Sequence, residues 1–267
     1  MNAAAEIGLL DDEDIDLLSA ALELAALDHP ERDPQTYLDH LDQWTERLMA
    51  HSHEAVDPVG QALALAQLLA TEEGLAGDVA QYDAPENANM MDVLDRRRGL
   101  PVALSIIYAG LAWRLGWEAD ILNVPGHVLA RIGTADGGVL IDPFAGGRIL
   151  QGEDVRILLS TMGSPADPDT DFAALSHRAT LVRLLSNQAS RAAASGNVPR
   201  ALALYERMTA LAPGFSALWW ERARLEQMQG LRRQARASLA AMAETTRDPR
   251  LLARVRAALD ALARTIN

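Results

Sequence analysis

A histidine and an aspartate near the middle of the chain could carry acid–base chemistry. His127 lies in the segment VPGHVLARI and Asp142 in VLIDPFAGG, each at the edge of a short apolar run that favours a β-strand. If the two strands are neighbours in a hairpin, the carboxylate can orient the imidazole as it does in a hydrolytic triad. The same pair can also merely satisfy buried polar groups, and the spacing leaves both interpretations open.

A basic cluster at the end of a predicted helix is a candidate ligand site: Arg96, Arg97 and Arg98. Consecutive helical residues point in different directions, so at least one guanidinium should face a pocket for an anionic ligand. Alternatively, the three arginines complement the helix dipole and pair with Asp92 and Asp95 at three- and four-residue spacing.

The composition restricts the chemistry of any site. The 267 residues include no cysteine, which excludes disulfides, thiolate–zinc sites, iron–sulfur clusters and a cysteine nucleophile within this chain. His51 and His53 flank Ser52 in a polar loop without a third ligand nearby, which is weak support for a metal site. No phosphate-binding loop or dinucleotide fingerprint is present. We therefore expect neither a metal nor a cofactor.

Hydrophobic periodicity predicts the elements that position these residues in an α+β fold. Helices are predicted over residues 8–27, 34–51, 59–69, 88–98 and 101–115, and the last should be buried because its apolar positions run almost all round. Gly99 is expected in the left-handed position after the fourth helix. Short strands of a small antiparallel sheet are predicted over residues 119–124, 127–132 and 138–141. Their turns are Pro125-Gly126 and Asp136-Gly137-Gly138.

The C-terminal third is an internal repeat. A shift of 34 residues places Leu185 on Trp219, Gly196 on Gly230 and Met208 on Met242. Thirty-four residues is the period of tetratricopeptide (TPR) helix pairs. The final amphipathic segment, residues 251–266, should cap the stack.

Charge is divided unevenly along the chain. Residues 1–175 contain 9 arginines and 31 acidic residues, whereas residues 176–267 contain 15 arginines and 6 acidic residues, within a total net charge of −13. This change predicts a boundary near residue 175. We expect a helical region over residues 1–80, a core over 81–162, a linker over 163–175 and TPR-like helices over 176–267. The arginines lie within the helical repeat without aromatic interleaving, so nucleic-acid binding is a weaker hypothesis than protein binding.

The sequence favours a cytoplasmic protein. Its first residues turn acidic at once and have no basic region, so no signal peptide is expected. The most apolar stretch, residues 101–113, is shorter than the roughly 20 residues that a membrane span needs.

Three segments are distinctive: DRRRGLP at residues 95–101, the turn Pro125-Gly126-His127, and IDPF at residues 141–144. With them the chain resembles the transglutaminase-like proteins of the SirB type, whose chains also end in TPR-like helices. The resemblance covers nearly the whole chain. It implies a papain-like core, with bacterial invasion-gene regulation associated with the family by name, and no established reaction.

The wider superfamily uses a Cys–His–Asp triad, with the cysteine at the start of a buried helix. His127 and Asp142 match the histidine and aspartate positions, whereas the cysteine position falls on Pro101. Proline offers neither a nucleophile nor a backbone N–H for an oxyanion. Ser105 lies on the same helix face but one turn deeper, about 6 Å away by helical rise, which favours a buried structural serine over a nucleophile.

These observations support two hypotheses of function. In the first, the chain is a non-catalytic transglutaminase-like protein, with a regulatory role. A cleft lined by His127, Asp142 and an arginine of 96–98 binds a small or peptide ligand, and the TPR-like face binds a protein partner. In the second, the chain is a hydrolase or transferase in which His127 activates water and Asp142 orients it.

Overall fold

The computed structural model describes residues 3–52, 55–161 and 172–264, with side chains omitted for residues 158–161. The chain divides into two compact units. One comprises Asp12–Leu184, and the other comprises Leu185–Asn267 together with Met1–Asp11. The first unit contains all the candidate site residues. Among the described residues, we find no helix with the length and apolarity that crossing a membrane requires.

Helices make up much of the first unit, and the first four of them begin at an Asp or Asn capping side chain. The helices are α2 (Leu17–Ala26), α3 (Pro34–His51), α4 (Pro58–Ala66), α5 (Met90–Arg96), α6 (Pro101–Arg114) and α7 (Gly152–Thr161). Asp33 accepts a hydrogen bond from the Gln35 N–H at 3.0 Å, and Pro34 occupies the first helical position, as predicted. A π-helical turn over Gln67–Glu72 extends α4.

The first predicted helix is wrong in its opening part. Instead of one helix over residues 8–27, the chain forms α1 (Ala3–Ile7), a 3-10 turn over Asp12–Asp14, and then α2. The Asp16 carboxylate accepts a hydrogen bond from the Ser19 N–H at 2.7 Å, which caps α2 and prevents its extension towards the N-terminus.

Helix α6 is the central element of the first unit. Every residue from Pro101 to Ala112 is buried, as its apolar pattern predicted. It packs against α2 and the sheet. The contact with α2 is close at Gly110, where a Cβ would lie 2.5 Å from Leu18. The buried helix therefore supports the end of the sheet that carries His127 and Asp142.

The sheet is small and antiparallel, as predicted. Its strand order is β6 (Arg148–Leu150), β5 (Val139–Asp142), β4 (His127–Ile132), β3 (Ala119–Val124) and β7 (Ala173–Ala174). Val124 pairs with His127 across the turn Pro125-Gly126, in which Gly126 has a φ of 73°. The left-handed conformation after proline closes this two-residue turn and starts β4 at His127. Most of the predicted linker, residues 162–171, lies outside the described residues, and its end forms β7.

The sequence did not indicate a second, parallel pair of strands. β1 (Ala76–Gly77) pairs with β2 (Arg98–Gly99), so that the segment after α5 is extended. The predicted helix over residues 88–98 accordingly begins later, at Met90, and ends earlier, at Arg96.

Five helices lie within the described residues 172–264. They are α8 (His177–Ala194), α9 (Val198–Leu211), α10 (Ser216–Met228), α11 (Arg232–Thr245) and α12 (Pro249–Arg264). A shift of 34 residues relates the last residue of α8 to the last residue of α10. The same shift relates both the first and the last residues of α9 to those of α11. Gly196 and Gly230 occupy equivalent turns with φ values of 76° and 74°. Their assignment to the TPR family stays a prediction.

Candidate functional site

The structure brings His127 and Asp142 into contact at one end of the sheet. His127 Nε2 lies 3.1 Å from Asp142 Oδ1. The two side chains are only 13% and 16% exposed. The turn before β4 and the end of β5 position the pair, as expected for a hairpin. The sequence predicted that these two residues could be neighbours across a hairpin, and the structure places them in hydrogen-bond contact.

Backbone hydrogen bonds hold the Asp142 carboxylate in place. Its Oδ1 accepts from the N–H groups of Phe144 at 3.0 Å and Ala145 at 3.3 Å, which caps the short helical turn Pro143–Ala145. Since this oxygen acts as an acceptor, His127 donates its Nε2–H, and in the neutral imidazole Nδ1 is then the acceptor nitrogen. Within the described part of the chain, Nδ1 has no hydrogen-bond partner. The pair thus presents one imidazole acceptor in a fixed orientation.

Aromatic rings lie beside the His127–Asp142 pair. The ring centroid of Phe144 lies 6.1 Å from that of His127 and 5.7 Å from that of Tyr82, both edge to face. On another side, Phe144 packs against Gly77, where a Cβ would lie 2.5 Å from the ring. The glycine in β1 therefore permits the close approach that places Phe144 beside His127.

Helix α6 carries two buried hydroxyl groups. Pro101 occupies its first turn, and Ser105 and Tyr108 follow at four- and seven-residue spacing on the same face. Both hydroxyl groups are buried and have no hydrogen-bond partner among the described residues. Burial raises the pKa of Tyr108 well above its ordinary range, with a further contribution from the negative charge of Asp142. The burial of Ser105 agrees with a structural serine.

Sequence reasoning missed Tyr108. Its spacing from Ser105 was a usable signal, but the hydrophobic pattern of α6 favoured an ordinary core position. The structure shows that the hydroxyl group lies against Gly147, where a Cβ would be 2.9 Å from Tyr108 OH. This glycine belongs to the turn between β5 and β6, which follows Asp142.

The three candidate arginines have different surroundings. The Arg96 guanidinium donates to Asn87 Oδ1 at 2.9 Å and Asp78 Oδ2 at 3.0 Å. The Gln81 backbone N–H, with help from Asn87 and Arg96, holds the pKa of Asp78 below its usual value in spite of burial. Arg98 is exposed and donates to the Gly74 and Arg97 carbonyls. Both side chains thus fix the segment that joins α5 to α6.

Arg97 occupies the left-handed position that the sequence analysis assigned to Gly99. Its φ is 56°, and it is the only non-glycine residue with positive φ in the described chain. The guanidinium donates to the Leu94 carbonyl at 2.6 Å and to His40 Nε2 at 2.9 Å, and it lies 4.7 Å above the Trp44 ring. These contacts offset a backbone strain of roughly 1–2 kcal/mol for a residue with a Cβ.

Arg97 also lines a surface cavity of about 540 Å³ between α3 and the end of α5. Its other lining residues are Thr36, Tyr37, Asp39, His40, Gln43, Leu94 and Asp95. Neither His127 nor Asp142 lines it. The arginine segment and the His–Asp pair therefore do not share this cavity.

The expected pairing of the arginines with Asp92 and Asp95 differs from the structure. Asp92 binds Arg32 at 2.7 Å and His29 at 3.2 Å, and Asp95 accepts from the Tyr37 hydroxyl at 2.9 Å. The two carboxylates therefore find their partners on α3 and in the turn before it.

His40 should make stability depend on pH. Burial, followed by the charge of Arg97, lowers the pKa of His40, although Glu73 and Asp95 act in the opposite direction. The unfolded chain, in which a histidine has a pKa near 6.5, therefore binds more protons than the folded chain as the pH falls. The free energy of unfolding decreases as a result. We expect His40→Gln to reduce the loss of unfolding free energy between pH 7 and pH 5.5, measured by urea denaturation. His51→Gln, at an exposed position, is the control; an equal reduction there would contradict the assignment.

No metal centre is apparent in the residues that the structure describes. Groups of three or more histidine, aspartate or glutamate side chains with suitable placement do not occur among them. His51 Nδ1 lies 2.7 Å from the Arg47 carbonyl, and His53 lies outside the described residues.

Comparison with known proteins gives a consistent family assignment. The Transglutaminase-like superfamily profile matches residues 35–186, which include the His–Asp pair and α6. A UPF0162 protein of Xylella fastidiosa is 32% identical over 213 residues, covering 78% of this chain and 75% of the relative. A UPF0162 protein of Pseudomonas aeruginosa is 28% identical over 198 residues, covering 74% of this chain and 72% of the relative.

Menin, in a crystal structure that reveals its binding site for the Mixed Lineage Leukemia protein, aligns with 90% of this chain and 68% of its own. That alignment has a TM-score of 0.42 and 13% identity. The superfamily profile matches more than half of the sequence, which shows that the chain belongs to the transglutaminase-like superfamily.

Proposed function

We propose that this chain is a non-catalytic transglutaminase-like protein whose core binds a small or peptide ligand. The observation that carries this proposal is the residue at the start of α6. Pro101 stands in the first helical turn, where the resemblance to the superfamily places the cysteine nucleophile. The His127–Asp142 hydrogen bond supports a site that keeps its recognition geometry without that nucleophile.

Proline at the cysteine position removes the activity because the reaction of the superfamily depends on a thiol paired with an imidazole. A helix N-terminus and a nearby histidine activate a cysteine by stabilising its thiolate. A proline removes the sulfur and one backbone donor together. Ser105 does not replace the thiol, because its side chain is fully buried within α6.

A second candidate function is supported by the free nitrogen of His127. Nδ1 has no hydrogen-bond partner in the described chain, and Asp142 fixes the ring through Nε2. An imidazole in this state can accept a proton from water, which requires no cysteine. The alternative is therefore a hydrolase or transferase that uses the His127–Asp142 pair.

Hydrolysis assays separate the two functions. We expect the wild-type protein and His127→Gln to hydrolyse p-nitrophenyl acetate and γ-glutamyl p-nitroanilide at equal rates. A general base contributes about 10²–10⁴ to a rate, so a fall of tenfold or more in the variant would contradict the non-catalytic proposal and favour the hydrolase. As a control for an intact site, ¹⁵N NMR should show His127 with the proton on Nε2 in the wild type.

The C-terminal helices complete the proposal. We assign α8–α11 to two TPR-like pairs, capped by α12, that offer a face to a protein partner, in a cytoplasmic protein of the SirB type with a regulatory role. The 34-residue relation of the helix bounds supports this assignment.

A further inference from the structure

One side of α10 presents a stripe of residue types that are frequent in protein interfaces. Trp220, Arg224 and Met228 follow at four-residue spacing, so they lie along one face of the helix. Met228 is 59% exposed, Arg224 is half exposed, and Trp220 is partly buried. Aromatic residues, methionine and arginine are the types enriched in the centres of interfaces.

Helix α12 extends this stripe with positive charge. The Arg254 guanidinium carbon lies 3.6 Å from the centroid of the Trp220 ring, and Arg250 precedes it by one helical turn. The cation–π contact joins the two helices into one surface. We call this surface the α10–α12 face, defined by Trp220, Arg224, Met228, Arg250 and Arg254.

The positive charge of this face is largely uncompensated. Arg224 pairs with Glu221 at 2.8 Å, but neither Arg250 nor Arg254 pairs with a carboxylate among the residues that the structure describes. Residues 185–267 contain 13 arginines and 6 acidic residues in a protein of net charge −13. A partner that supplies carboxylates beside apolar side chains is complementary to both properties of the face.

We propose that the α10–α12 face binds an acidic segment of a partner protein, with carboxylates on Arg250 and Arg254 and an apolar side chain against Trp220 and Met228. This inference deepens the partner-binding role proposed for the C-terminal helices. Nucleic acid is a poorer occupant, because a phosphate backbone gains nothing from contact with the apolar side chain of Met228.

Fluorescence anisotropy with a synthetic peptide tests the proposal. The probe is a labelled peptide that repeats Glu-Glu-Leu-Phe four times, added to the full chain over a series of salt concentrations. We expect binding that weakens with salt, and at least tenfold weaker binding for the double variant Arg250→Glu, Arg254→Glu. The analogue that repeats Lys-Lys-Leu-Phe should not bind.

A matched variant controls for net charge. Arg256 is exposed on α12 but lies about 200° around the helix from Arg254, so it is off the face. The single variant Arg254→Glu changes net charge by the same amount and should weaken binding more than threefold. We expect Arg256→Glu to retain binding within about threefold, whereas an effect equal to that of Arg254→Glu would overturn the proposal. Circular dichroism should show the same helix content in all variants.

Three further results would also overturn the proposal. They are failure of the acidic peptide to bind, tighter binding of a 20-base-pair DNA duplex, and self-association of the protein that the double variant abolishes in sedimentation velocity. The last would make a second copy of the chain the occupant. All these readouts are independent of the His127 assays, so failure here leaves the proposed role of the core unaffected.

Discussion

Replacing Trp44 with alanine should destabilise the protein by about 3–5 kcal/mol, the range for truncating a large buried aromatic residue. The side chain is 1% exposed in the middle of α3. Its ring also supports the Arg97 guanidinium at 4.7 Å and contacts the His40 ring at a centroid distance of 4.8 Å. Loss of the ring therefore opens a cavity and removes the support for the left-handed Arg97. Urea denaturation followed by circular dichroism measures the change.

Trp44→Phe is the informative companion to this variant. The indole N–H is buried without a hydrogen-bond partner among the described residues, so its removal costs no hydrogen bond. Phenylalanine keeps an aromatic face beneath Arg97 and should cost only about 1–2 kcal/mol. A loss below 1 kcal/mol for Trp44→Ala would show that the ring does not support this part of the fold.

Gly147→Ala should destabilise the protein by about 2–4 kcal/mol and disturb the His127–Asp142 pair. The residue has a φ of 74°, which costs roughly 1 kcal/mol with a Cβ present. The added methyl group would lie 2.8 Å from Ala66 Cβ and 2.9 Å from Tyr108 OH, and such overpacking costs about 1–3 kcal/mol more. The Gly147 N–H also donates to the Asp142 carbonyl at 2.8 Å, so the strain reaches the site. Denaturation and the His127 NMR signals report the two effects.

Gly146→Ala isolates the packing contribution. Gly146 has nearly the same φ, 71°, but its Cβ would make an ordinary contact at 3.6 Å with Ala70. We expect a loss of only about 1 kcal/mol, from the backbone alone. Equal losses for the two variants would mean that Tyr108 and Ala66 yield to the methyl group, so that Gly147 is required for its conformation only.

Elements with strong local signals could be predicted from the sequence. Helix α3 occurs over residues 34–51 as expected, because Asp33-Pro34 provides a cap and a first helical residue in adjacent positions. Strands β3 and β4 also have their predicted bounds, since the turn Pro125-Gly126 determines where one ends and the next begins. The proximity of His127 and Asp142 followed from those strands.

Features that depend on distant contacts could not be predicted. Arg97 adopts a left-handed conformation because Trp44 and His40, more than fifty residues earlier, hold its side chain. The pairing of β1 with β2 joins segments with no alternating pattern of their own. The burial of the Tyr108 hydroxyl requires Gly147 and Ala66 to come together from separate elements. In each case a tertiary contact overrides a weak local preference.

The order of strands in the sheet has a consequence for folding kinetics. From β3 to β6, each strand pairs with the next one along the chain, so its contacts have small sequence separation. Closing such short loops loses little chain entropy, and topologies with local contacts fold faster than those with distant ones. His127 and Asp142 are only 15 residues apart. We therefore expect the strands β3 to β6 to bring the two side chains together earlier in folding than long-range contacts such as that between Arg97 and Trp44.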